Sequence, residues 1–156
     1  MGPRVYGGAS QSFAKAYQDE FVAATFADWK SPTYDGCYLD YIWVEVYDDP
    51  EGEAPSLDEM KAARAEYIEN VLTVYPAVKL TQPLRDVQID VARGFKFTWS
   101  FPVDRYSEVV TECILVADGV WYYFALASVE DDWKTNQAVF DKVLQSFTAP
   151  DSTPSM

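Results

Sequence analysis

The chain has 156 residues, 49% of them hydrophobic and 16% aromatic, so it is long enough to bury a core as one domain and too apolar to stay unfolded. Its formal net charge of −13 repels phosphate backbones and anionic lipid, which argues against nucleic-acid and membrane-surface partners. No apolar run approaches the roughly 20 residues of a spanning helix, and the absence of histidine removes the commonest general base and zinc ligand.

Residues 1–12 are rich in Gly and Ser and read as a flexible leader without a signal-peptide pattern, followed by a single α+β domain over 13–148. Between Phe13 and Phe26 a helical spacing (Phe13, Tyr17, Phe21) competes with the strand-like FVAATF, and the expectation is a ragged helical lead-in and then a strand. Asp28 to Pro32 punctuates the chain as a turn. Cys37 to Tyr47 reads as one long strand, with Ile42, Val44 and Val46 on one side and Leu39, Tyr41, Trp43, Glu45 and Tyr47 on the other.

An acidic loop over 48–55 leads to Ser56-Leu57-Asp58-Glu59, a capping box that opens a helix over 57–72. Leu57, Met60, Ala63, Tyr67 and Val71 form its expected inner stripe. Leu84–Val91 and Phe95–Phe101 follow as strands around a turn at Ala92-Arg93-Gly94. The alternation of Phe95, Phe97, Trp99 and Phe101 with Lys96, Thr98 and Ser100 predicts one face in water, near a sheet edge.

Residues 108–117 and 120–129 flank Asp118-Gly119, the strongest hairpin signal in the chain, since a type I′ turn needs φ > 0 at both central residues. Both alternation sets of the second run are apolar, so it should be a central strand covered on both sides. Asp131-Asp132 are cap candidates for a helix over 131–147 with Trp133, Phe140, Val143, Leu144 and Phe147 on one stripe. Residues 149–156 read as a disordered tail. The expected fold is a mostly antiparallel sheet of about six strands with helices packed on it, an α/β/α-type sandwich.

The inventory offers little chemistry for catalysis. There is no CxxC, phosphate loop or GxSxG. Glu108 and Glu112 share a strand face, but their backbones lie roughly 13 Å apart at 3.3 Å per residue, beyond glycosidase spacing. Glu45, among aromatics, is either an acid of raised pKa in a cleft or a hydrogen-bonded rim residue. Asp48, Asp49, Glu51 and Glu53 are calcium-type ligands, but the spacing misses the EF-hand loop and a solvated loop is the plainer reading. No metal and no cofactor is expected.

Cys37 and Cys113 admit two readings: a disulfide closing a loop of about 75 residues, worth roughly 4 kcal/mol, or two free thiols. The former favours an envelope or extracellular location after removal of a signal, the latter the cytoplasm. The aromatics carry the best functional lead. Tyr34, Tyr38, Tyr41, Trp43 and Tyr47, with Glu45, cluster in one stretch. If the helix over 57–72 does not fully roof them, they form a docking patch for a protein partner, a basic one among the candidates.

The segment Phe26-Ala-Asp-Trp29 before a long strand, the capped helix after an acidic loop, the Asp118-Gly119 hairpin with Tyr122-Tyr123-Phe124, and the closing Trp133 to Phe147 helix resemble the PsbP-like superfamily over residues 20–148. It includes an extrinsic photosystem II protein, a Ran-binding nuclear-transport factor, bacterial lipoproteins and chaperone-like proteins of secretion systems. The resemblance implies a non-catalytic adaptor and transfers no functional residue. Three functions stay open: an accessory module binding a protein partner, a cytosolic adaptor or chaperone, and a carbohydrate-binding protein or carboxylate-dependent hydrolase.

Overall fold

A computed structural model describes residues 4–5, 13–17, 22–28, 30–49 and 52–148. Six long strands form the sheet: β3 (Val22–Asp28), β6 (Tyr41–Asp48), β7 (Lys79–Ile89), β8 (Ala92–Val103), β9 (Tyr106–Ala117) and β10 (Val120–Val129). Two short strands, β1 (Arg4–Val5) and β2 (Phe13–Tyr17), extend it to the order β1-β2-β3-β6-β10-β9-β8-β7, with every pairing antiparallel. A separate hairpin pairs β4 (Thr33–Tyr34) with β5 (Cys37–Tyr38). The two helices are α1 (Leu57–Val74) and α2 (Trp133–Ser146), the latter preceded by a 3₁₀ turn over Glu130–Asp132. The chain is an α+β sandwich, as its patterning implies.

The Asp118-Gly119 turn has φ of 50° and 73°, and it sets the register Val120↔Ala117 through Val129↔Glu108. β10 lies between β6 and β9, buried along most of its length. Its two residue sets serve two cores. Tyr122, Phe124 and Leu126 pack with Ile42, Cys113 and Leu115 beneath Phe140 and Leu144 of α2. Trp121 packs on the opposite face with Phe95 and Ile114, against Leu57 and Met60 of α1.

The capping box forms: Ser56 Oγ accepts from the Glu59 N–H at 3.2 Å and a Glu59 carboxyl oxygen accepts from the Ser56 N–H at 3.5 Å. The inner stripe of α1 differs from the expected one. Ala63 and Tyr67 are exposed, Ile68 is the buried residue, and Arg64 is half-buried. The inward stripe is displaced by about one residue, so that Arg64 points its guanidinium toward the buried Glu112.

Other expectations are corrected by pairing across the sheet. Phe13–Tyr17 is a strand, not a helical lead-in, because the ladder with β3 satisfies its backbone. The strand expected over Cys37–Tyr47 is interrupted at Leu39-Asp40, where Ser31 Oγ accepts from both N–H groups at 3.1 and 2.8 Å. The turn expected at 92–94 falls at Asp90-Val91, and Asp90 takes φ of 54°. Gly94 lies within β8, where an added Cβ would come within 1.7 Å of the Ile114 carbonyl oxygen, so only glycine lets β8 and β9 approach. The polar face of β8 is not simply wet: Thr98 is 2% exposed and shares a 2.7 Å hydrogen bond with Thr111.

Asp132 occupies the N-cap of α2 but makes no side-chain cap bond. Its carboxyl instead neighbours Asp40. Both cysteines are free: Cys37 is exposed on the small hairpin, whereas Cys113 is fully buried beneath α2. The bridge kept open on sequence grounds is not made. Apart from Arg4–Val5, the proposed leader lies outside the described residues, as does the 149–156 tail. Among the described residues no helix is long and apolar enough to cross a membrane.

Candidate functional site

Antiparallel register decides which side chains meet. Trp43 stands opposite Ala125, which stands opposite Glu112, which stands opposite Phe97, so these four lie in one row across β6, β10, β9 and β8. The next row joins Glu45, Tyr123, Ile114 and Phe95. All project from the face that carries α1. The helix leaves part of this face open, as a groove of about 770 Å³ walled by Met60 and Arg64 of α1 and floored by β6, β8, β9 and β10. That volume lies in the range of sites that enclose a small ligand or a few side chains.

Four of the six patch residues line the groove: Tyr41, Trp43, Glu45 and Tyr47. Tyr34 and Tyr38 do not. They sit on the β4–β5 hairpin, where Tyr34 is 51% exposed. The break at Leu39-Asp40 separates them from the sheet, and strand alternation alone could not show it. Glu45 is held by its neighbours: Trp43 Nε1–H donates to Oε1 at 2.8 Å and the Tyr47 hydroxyl donates to Oε2 at 2.6 Å. Residues two apart on a strand share a face, so Glu45 ties together the rings on either side of it.

The groove also recruits residues not foreseen in the patch. Trp99 and Phe101 come from β8, and Trp121 and Tyr123 from β10. The alternation that places them on one face is legible in the sequence; the register that brings them to β6 is not. At the α1 wall the Tyr123 hydroxyl donates to Glu112 Oε1 at 2.6 Å, and an Arg64 guanidinium nitrogen lies 3.9 Å from the same oxygen. Burial pushes the Glu112 carboxyl above its ordinary range, opposed by these two partners. Burial and the adjacent Glu112 push the Tyr123 phenol far up, so it remains a donor. Arg64 lies 5.5 Å from the Tyr67 ring centroid, and Tyr67 meets Trp99 edge-on at 6.1 Å.

Glu108 shares the strand face of Glu112 but is not part of the groove lining. It is 3% exposed, Oε1 has no hydrogen-bond partner among the described residues, and burial foremost, then the charge of Asp40, pushes its carboxyl up to about 8. Asp40 is fully buried and accepts from the Val129 N–H at 2.8 Å; burial and then Asp132 push it well above its ordinary value. Asn136 of α2 completes this polar corner by donating to Ser128 at 3.0 Å.

In the acidic loop, Asp49 accepts the N–H groups of Glu53 and Ala54 at 2.9 and 3.0 Å, so its carboxylate shapes the turn. Glu51 lies outside the described residues. Among the described residues, no three or more His, Cys, Asp or Glu side chains gather as a metal site.

No family model matches the sequence, and no curated protein matches it. Solved structures do. PA94 of Pseudomonas aeruginosa, a protein of unknown function considered a candidate regulator, superposes with a TM-score of 0.59 at 15% identity, over 88% of each chain. The cyanobacterial PsbP of Synechocystis superposes with a TM-score of 0.56 at 14% identity, over 89% of this chain and 82% of the other. The chain has the PsbP-like fold.

Proposed function

We propose that the protein is a non-catalytic binding module whose α1-face groove receives a segment of a protein partner. The observation that carries this reading is the groove itself, an open concavity of about 770 Å³ with tryptophans from three different strands, Trp43, Trp99 and Trp121. Trp121 belongs to the buried floor, but Trp43 and Trp99 stay half-buried; a chain that needed those two rings only as core would roof them, and aromatic anchors in a partly desolvated concavity are what interface hot spots consist of. The acidic groups near them add electrostatic preference, and the net charge of −13 adds steering.

The test is selection of displayed random peptides on the purified protein, with Trp43→Ala in parallel. Trp43 is half-buried, so its loss should cost about 1–2 kcal/mol of stability, less than the roughly 3–5 kcal/mol of a fully buried tryptophan. The reading expects a peptide family enriched on the wild type and lost on the folded variant. Enrichment that is absent, or that survives Trp43→Ala unchanged, refutes it.

A further inference from the structure

We infer that the groove recognises a lysine or arginine side chain of its partner, held between aromatic faces and the Glu45 carboxylate. The inference rests on the docking reading above and specifies the chemistry of the occupant.

Three features of the groove carry it. The first is charge: the described lining residues include the carboxylates of Glu45, Asp48, Asp49 and Glu112, and Arg64 is their only base. Arg64 lies toward Glu112, so the β6 end is left negative by Glu45, with Asp49 at the strand's end. An anionic ligand is repelled there.

The second is the use of polar ring edges. Trp43 and Tyr47 both donate to Glu45, and Tyr123 donates to Glu112. Those donors are spent within the protein. A sugar, which needs donors and acceptors for its hydroxyls, finds few on these rings, whereas a cation needs only a ring face, which half-buried Trp43 supplies in the groove lining.

The third is a precedent in the same wall. The Arg64 guanidinium is held by the Tyr67 ring at 5.5 Å and by Glu112 at 3.9 Å, a ring and a carboxylate together. Across the groove Trp43 and Glu45 again bring a ring and a carboxylate together, here with the carboxylate at the indole N–H edge. Cation–π attraction is strongest for tryptophan and grows as the site is desolvated.

The test uses Gly-Ser host peptides carrying adjacent lysines, matched with peptides carrying norleucine, which keeps the carbon chain without the charge. Binding is followed by tryptophan fluorescence at low and at physiological salt, on the wild type, Glu45→Gln and Trp43→Ala. Lysine should bind about tenfold tighter than norleucine, as one cation held by a ring and a carboxylate allows. Glu45→Gln, which preserves side-chain shape, should close most of that gap, and Trp43→Ala should weaken both peptides.

Equal or tighter binding of norleucine overturns the inference while leaving an apolar docking groove. A lysine preference unchanged by Glu45→Gln also overturns it, since overall charge would then be the cause. If Trp43→Ala alters neither peptide, the docking reading falls as well.

Discussion

Replacing Glu108 by Gln should remove much of the pH dependence of stability. In the folded chain this carboxyl keeps its proton up to about 8, against 4.5 for the ordinary group, because it is buried and faces the charge of Asp40. Between those two values the native state binds more protons than the unfolded chain. Stability is therefore fully present below the unfolded pKa and is lost as pH rises through the folded one. At about 1.4 kcal/mol per pH unit, the window from 4.5 to about 8 caps the loss at about 5 kcal/mol. Relaxation around the charged carboxylate and entry of water bring the expected loss to about 2–3 kcal/mol. Urea denaturation between about pH 5 and about pH 8 measures it as a fall in the midpoint. Glu108→Gln should retain the acid-side stability and show a shallower fall, the remainder coming from Asp40 and Glu112, whose pKa values are raised in the same direction. A wild type equally stable at both ends, or a variant with an undiminished slope, would refute the assignment.

Gly94→Ala should destabilise the fold by about 3 kcal/mol or prevent folding, because its Cβ would meet the Ile114 backbone, which cannot move aside; a thermal melt within a few degrees of wild type contradicts this. Ser56→Ala should cost about 1 kcal/mol through loss of the capping box, read in urea. A thiol-alkylating reagent should modify Cys37 in the native protein and Cys113 only after denaturation, since Cys113 is fully buried and its thiol is pushed up to about 11. Intact mass distinguishes one addition from two.

The elements that local signals govern are legible in the sequence: the Asp118-Gly119 hairpin, the Ser56 capping box, the two-sided burial of β10 and the inner stripe of α2. What escapes is set by distant partners. Phe13–Tyr17 carries a helical spacing, yet β3 offers it a ladder, and tertiary pairing overrides local preference. Leu39-Asp40 breaks a strand that alternation alone would continue, because Ser31, eight and nine positions earlier, binds both N–H groups. For the same reason only part of the groove was foreseeable. Tyr41 to Tyr47 form a local cluster in the sequence, whereas Trp99 and Trp121 join them through registers that no local window contains. Asp132 illustrates the limit from the other side: an acid at a helix start matches a cap, but here it faces another acid.

β6 precedes α1 in the chain, yet it pairs with β10, the last of the described strands in chain order. The hairpins from β7 to β10 can form from neighbours in sequence, while β6 must wait for the end of the sheet and close a long loop, a slow step for non-local pairing. Folding is thus expected to proceed from the β7–β10 meander outward, with those β6 amides that bond to β10 rather than to β3 protected last in pulse-labelled hydrogen exchange. Trp43 and Glu45 lie on β6 and join the groove floor only when the β6–β10 ladder closes. A chain still emerging from the ribosome, or one locally unzipped at the β6–β10 seam, has no groove to offer, so partner capture would report on completed folding and would in turn stabilise that seam.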